Sequence, residues 1–323
     1  MRWLFVALNS VLFSLHANVL YASFHVPKAL EKDVLFWEDV LSKYKSNECI
    51  LHDKDDVSVV YGVRVIPVQK SVKQQKVFTD RFRSEVSQVL LQLAQRKDSS
   101  GLKSSQRAVF DAVPASWNSP EHFRAASERV RCQQGVRDRF LLSLKRSQIH
   151  LPMIRSYIKK YGLPEDLAFL PHLESGFDPI AQSKVGARGL WQLMPTTARQ
   201  GMKVNRRLDE RINPKIATKF ALALLLENYQ RVGSWPLALT GYNYGINGIR
   251  RAVQSLGSND YMIVRDQHRS KSFGFAAKHF YPSFLAVRNL ALRFERGEDI
   301  LAQSKVRSVS LWAAAEDSVN ISP

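Results

Sequence analysis

The hydrophobic period changes several times along the chain, and each change marks an element. From Leu30 to Tyr44 the residues Leu30, Val34, Phe36, Trp37, Val40 and Leu41 recur at helical spacing, which predicts an amphipathic helix. Over "ECILHDKDDVSVVYGVRVIP", residues 48–67, two runs rich in Val and Ile flank Asp53-Lys54-Asp55-Asp56, so a β-hairpin closed by a polar turn is expected. Helical period returns over 76–96 through Val77, Phe82, Val86, Val89, Leu90 and Leu93, and "KDSSGLKSS" at 97–105 reads as a loop. Helices are expected near 119–132 and 135–146.

From about residue 149 the signals sharpen. In "GLPEDLAFLPHLESG", Pro164 suits a first helical turn, Glu165 and Asp166 are favoured there by the helix dipole, and Gly176 supplies the stop. Leu163, Leu167, Leu170 and Glu174 follow at intervals of four, three and four, so Glu174 shares the leucine face, one turn beyond Leu170. A carboxylate at an apolar helix end is partly desolvated, which raises its pKa and suits it to donate a proton near neutrality. The competing reading is an ion pair with an arginine such as Arg188.

Next, "KVGARGLWQLMPTT" brackets Ala187 and Arg188 with Gly186 and Gly189, and sets polar Gln192 between apolar neighbours before Pro195 opens another helix. A half-buried amide there can grip a ligand, with Trp191 and Met194 as walls, although core packing accounts for those two equally well. A helix is expected over 214–232, capped by Asn213 and stopped by Gly233. Tyr242 and Asn243 end a short apolar helix; Gly245 and Gly248 follow, but no strand precedes them and no Gly-Lys-Ser/Thr follows, so the case for a phosphate loop is weak.

Composition adds less. The 323 residues, 45% hydrophobic and 24% charged, describe a globular protein. A net charge of +18 calls for an anionic partner or surface, such as lipid headgroups or a wall polymer, or is simply a solvated basic exterior. The opening "MRWLFVALNSVLFSLHANVLYASF" has the layout of a signal peptide, expected over 1–22, against an uncleaved membrane anchor. Cys49 and Cys132 either pair in an oxidising compartment or stay as thiols. The histidines are scattered without an HExxH spacing, so neither metal nor cofactor is expected.

Together, Glu174-Ser175, the run Gly189-Leu190-Trp191-Gln192-Leu193-Met194-Pro195, and Gly241-Tyr242-Asn243 resemble the ordered motifs of lytic transglycosylases of the soluble-Slt and membrane-bound-D type, in the lysozyme-like superfamily. The likeness covers roughly residues 135–255, with Gly241 and Leu193 departing from the usual alanine and from the methionine or phenylalanine often found there. It implies a mainly α fold: a helical N-terminal region with a small β-hairpin over 23–148, a lysozyme-like catalytic domain over 149–300, and a tail over 301–323. It also implies cleavage of the β-1,4 bond between N-acetylmuramic acid and N-acetylglucosamine in peptidoglycan, leaving a 1,6-anhydro end, by an exported protein of the periplasm or cell wall.

In the same terms Glu174 would act as acid and then base, and Ser175, counted with the substrate-binding residues, would orient or hydrogen-bond near the acid. Gln192 and Met194 would line the saccharide cleft, while Tyr242 and Asn243 would face the reacting sugar. A tyrosine of a later helix corresponds to Phe280 or Tyr281. Glycan strands are the expected partner and nucleic acid is not; the basic surface is compatible with peripheral membrane association. Two rivals keep the fold: a lysozyme-type hydrolase with Asp178 assisting a water, and a non-catalytic wall-binding protein. Asp178-Pro179 after Gly176 reads more simply as turn chemistry.

Overall fold

The computed structural model describes residues 24–67, 71–96 and 99–301. The expected signal peptide and all of the expected tail beyond residue 301 lie outside the described residues. Two compact units are distinguished among the described residues, one joining residues 24–38 with Arg139–Ile300, the other comprising Asp39–Asp138. The cut passes inside the first α-helix, α1 (Glu31–Ser42), whose start and apolar face follow the expected pattern.

The unit built on 39–138 is a small sheet under helices. Strands β1 (Glu48–Asp53) and β2 (Val60–Val65) form the expected hairpin, pairing Glu48 with Val65 and Leu51 with Gly62 before a bulge at Leu51/His52. Helix α2 (Val72–Leu93) begins at a Ser71–Gln74 capping box, earlier than the periodicity suggested, and buries Val86, Leu90 and Leu93. Helices α3 (Ser104–Ala112) and α4 (Pro120–Ser127) follow.

The helix expected to run to 132 stops at Ser127, and Val130–Gln134 is instead a strand, β3, on the other side of β1, giving the order β2-β1-β3. Pairing with β1 satisfies its backbone, and Cys49 and Cys132 are disulfide-bonded, their Cα atoms 5.5 Å apart. The core is Cys49, Leu51, Tyr61, Ile66, Leu90, Val109, Phe123 and their neighbours. Beneath them, buried Asp53 pairs with Arg129 at 2.8 Å.

The other unit is helical. Helix α5 (Arg137–Tyr161) runs through Pro152, longer than expected. A 3₁₀ turn, Glu165–Phe169, leads into α6 (Leu170–Glu174), so the run expected as one helix is two short pieces. The leucine spacing survives this change because both helix types bring a residue back to one face after three or four positions, and Leu163, Leu167 and Leu170 are all buried.

A long irregular stretch holding the four-residue α7 (Pro195–Ala198) precedes α8 (Pro214–Val232), where Asn213 accepts from the N–H groups of Lys215 and Ile216 and Gly233 closes the helix at φ +67°. Then come α9 (Trp235–Tyr244), α10 (Ile246–Leu256), α11 (Tyr261–Gln267) and α12 (Phe275–Glu295). Helix α12 is the axis of this core: Phe284, Leu285, Ala286 and Val287 are each fully buried. Phe24 joins it through edge contact with Phe284 at 5.2 Å. Among the described residues no helix is long and apolar enough to cross a membrane.

Candidate active site

Glu174 is the last residue of α6, where the chain reverses. Gly176 and Phe177 both take left-handed backbone, at φ +60° and +55°, and both Ser175 and Phe177 donate their N–H groups to the Pro171 carbonyl. Left-handed phenylalanine is costly, and full burial of its ring, edge-on to His172 at 4.5 Å between centroids, offsets the strain. His172 also meets Ser143 Oγ through Nδ1 at 2.5 Å. Burial pushes its imidazole down to about 3, so the ring is neutral and brings no positive charge to α6.

The Glu174 carboxyl is therefore uncompensated. Oε1 is sealed from solvent without a hydrogen-bond partner, and no ion pair involves Glu174 among the described residues. Burial pushes the carboxyl from its ordinary 4.5 up to about 8. The alternative pairing with Arg188 is not formed, because Arg188 Nη1 lies 3.0 Å from Asp209 Oδ2. Asp178 is occupied by its own turn, accepting from Ile180 N at 3.0 Å, with Arg146 3.7 Å away.

Three segments converge here. Ser175 Oγ donates to the Leu190 carbonyl at 2.8 Å, so this hydroxyl ties the end of α6 to the following loop. Tyr242 donates its hydroxyl to the Trp191 carbonyl at 2.7 Å. Its phenol is held well above its usual range by burial first and then by the charge Glu174 would carry. Gly241 stands where alanine is usual because Ile246 leans over it: a Cβ would lie 2.8 Å from Ile246 Cδ1.

The loop between Gly186 and Met194 is shaped by its own chemistry. Gln192 has φ +45°, and its Nε2 donates to the carbonyls of Gly189 at 3.0 Å and Ala181 at 3.2 Å, leaving Oε1 as the atom able to accept from a ligand. Met194 is 38% exposed and suits a wall. Trp191 does not: it is fully buried and donates from Nε1 to Thr218 Oγ1 of α8 at 2.9 Å. Asn243 is exposed, one residue past Tyr242. Tyr281 and Phe280 are buried on α12, Tyr281 packing on Phe24 and Tyr261.

Sequence reasoning missed the pair that holds this loop. Arg211, buried, donates from Nη1 to the carbonyls of Gly186 at 2.7 Å and Leu193 at 2.9 Å, and pairs with Asp209 at 2.8 Å. Asp209 also receives Arg188, and hydrogen bonds from Arg211 hold its carboxyl down at about 2. Gly189 passes so close that a Cβ would meet the Arg211 carbonyl oxygen at 1.9 Å. The only linear signal was an aspartate two residues before an arginine; the carbonyl acceptors leave no trace in side-chain identity. Among the described residues no group of three His, Cys, Asp or Glu could hold a metal ion.

Residues 152–263 match the family model described as Transglycosylase SLT domain. Membrane-bound lytic murein transglycosylase D of Escherichia coli (strain K12) is 29% identical over 160 residues, 47% of this chain and 33% of its own. A putative tributyltin chloride resistance protein of Alteromonas sp. (strain M-1) is 31% identical over 113 residues, covering 34% of this chain and 55% of its own. The chain thus spans about a third of the length of the first relative. The crystal structure of the 70 kDa soluble lytic transglycosylase from Escherichia coli overlaps 71% of this chain and 36% of its own at 16% identity, with a TM-score of 0.37. Residues 152–263, the stretch in which Glu174, Ser175, Gln192, Met194, Tyr242 and Asn243 lie, are thus similar to transglycosylase SLT domains.

Proposed function

We propose that this protein is a peptidoglycan lytic transglycosylase that cleaves the β-1,4 bond between N-acetylmuramic acid and N-acetylglucosamine, with Glu174 as its acid and then its base. The observation that carries the reading is one half-buried carboxyl, its Oε1 sealed without a partner and its pKa pushed up to about 8, with no second carboxylate among the described residues free to work beside it. Glycosidases that add water use two carboxyl groups, one protonating the leaving oxygen and one serving as nucleophile or activating water. A single carboxyl suffices where the sugar supplies the rest. Glu174 gives its proton to the glycosidic oxygen as the C1–O4 bond breaks, and the muramoyl acetamido group stabilises the anomeric carbon. The Glu174 carboxylate then takes the proton of the muramoyl 6-hydroxyl as O6 bonds to C1, which restores the acid and consumes no water.

The remaining groups support this cycle. Tyr242 is close enough to sense the Glu174 charge, Gln192 Oε1 can accept from a sugar hydroxyl or amide, Met194 offers an apolar wall, and Asn243 is exposed for a polar contact. Ser175 positions the acid through its bond to Leu190. The Cys49–Cys132 disulfide fits an exported protein acting in an oxidising compartment, as does the opening sequence. Incubating purified protein and its Glu174→Gln variant with peptidoglycan, then weighing the products, tests the proposal. Muropeptides one water lighter, without a reducing end and absent from the variant, are expected; reducing ends would mean hydrolysis by water instead.

A further inference from the structure

The stretch between α7 and α8 carries charge that the cleavage reaction does not use. Arg199, Lys203, Arg206 and Arg207 are all exposed, and among the described residues none forms an ion pair. The two acids in the same stretch are engaged elsewhere: Asp209 by Arg188 and Arg211, Glu210 by the Lys203 backbone N–H at 2.6 Å.

These cations do not hang on a loose loop. Asn205 N donates to the Leu208 carbonyl at 2.9 Å, and Asn205 Oδ1 accepts from Arg207 N at 2.9 Å and Leu208 N at 3.0 Å. Val204 bridges to Asp209 as an antiparallel pair, so Arg206 and Arg207 occupy the tip of a closed turn with Lys203 at its base. Through Asp209 and Arg211 the same turn is fastened to the Gly186 and Leu193 carbonyls, on the loop that presents Gln192 and Met194. Three like charges held in one turn repel one another, and the arrangement suits an anion arriving with the ligand of that loop.

We infer that Lys203, Arg206 and Arg207 form a carboxylate-binding edge beside the saccharide site, and that its ligand is the carboxylate-bearing peptide substituent of the wall strand. The inference rests on the proposed transglycosylase reading and extends it to substrate choice: the protein prefers strands that carry acidic stems. Guanidinium groups match carboxylates in a planar fork, which favours two arginines at the tip.

The test uses the full protein and the triple variant Lys203→Gln, Arg206→Gln, Arg207→Gln. Both are co-sedimented with insoluble peptidoglycan, either native or with its carboxyl groups capped as neutral amides by ethanolamine, and with anionic phosphatidylglycerol vesicles. Wild type should bind native wall about three- to tenfold more tightly than capped wall, in line with three exposed charge pairs. The preference should shrink with added salt, and the variant should bind both walls alike. Equal binding of native and capped wall by wild type, or an equal loss by the variant on both, would overturn the edge. So would a variant defect confined to the vesicles, which would mean a lipid surface. Product release is read in parallel: carboxylate-dependent binding without any anhydro product would keep the edge and sink the transglycosylase reading.

Discussion

The substitution Glu174→Gln removes one proton-binding site and keeps the side-chain shape, so its effects can be worked from the surroundings of the carboxyl. Burial raises that group from 4.5 to about 8, and the folded chain therefore holds the proton more tightly than the unfolded chain. Below the ordinary value both states are protonated and the site imposes no ionic penalty. As pH climbs through 4.5 the unfolded chain ionises first, and folding stability falls until the folded carboxyl ionises too, near 8. At about 1.36 kcal/mol per pH unit, the penalty reaches about 3 kcal/mol at about pH 7 and levels off near about 5 kcal/mol above about pH 8.

Glutamine does not titrate, so the variant escapes this slope. Urea unfolding of both proteins between about pH 4 and about pH 7 should show their stability difference moving about 3 kcal/mol in favour of the variant. Any constant cost of placing an amide at the site cancels from that trend. Cleavage should fall by about a hundred- to ten-thousand-fold in the same variant, and wild-type activity should decline as pH rises through about 8 and the acid loses its proton. A pH-independent stability difference would refute the protonated, buried carboxyl; full activity in the variant would refute its role as the acid.

Other perturbations read the supporting structure. Tyr242→Phe removes the hydrogen bond to the Trp191 carbonyl and should cost about 1 kcal/mol in thermal or chemical unfolding, with a lower kcat. Gly189→Ala places a methyl 1.9 Å from the Arg211 carbonyl oxygen at φ +79°, and should cost about 1–3 kcal/mol or more and abolish cleavage while the Cys49–Cys132 unit keeps its protease resistance. Asp209→Asn leaves Arg211 buried without its counter-charge, which should cost about 3–5 kcal/mol in urea and raise KM through a loosened loop. Because the Asp209 carboxyl is depressed to about 2, its contribution to stability should be complete above its ordinary 3.8 and be lost progressively as pH falls from there through about 2, which acid titration of unfolding can follow.

What could be read along the chain was what depends on spacing. The leucines before Glu174 predicted its place at the end of an apolar face, even though the intervening turns are partly 3₁₀. The hairpin was legible from two Val- and Ile-rich runs about a polar turn; β3 was not, because "VRCQQ" offers too few alternations to be told from a helix end and takes its identity from pairing with β1. Gln192 stood out as a polar residue among apolar ones, but its left-handed backbone and the tie of its amide to the Gly189 and Ala181 carbonyls have no signature in residue type. The Asp209–Arg211 clamp was illegible for the same reason: its acceptors are main-chain atoms of Gly186 and Leu193, which any residue type would supply.

The disulfide gives the sheet unit a maturation clock. Cys49 and Cys132 are 83 residues apart in sequence, and closing a loop of that size removes about 4–5 kcal/mol of freedom from the unfolded chain. Cys49 emerges early in synthesis, but its partner sits on β3, the last strand of the sheet to be made, so the bond can form only after the entire unit has been released. Until an oxidant acts, β3 is held by pairing and packing alone. Oxidation then fixes β3 beside β1: chains that fail to bring the two strands together keep two free thiols, and only correctly paired ones gain the stabilisation of the closed loop.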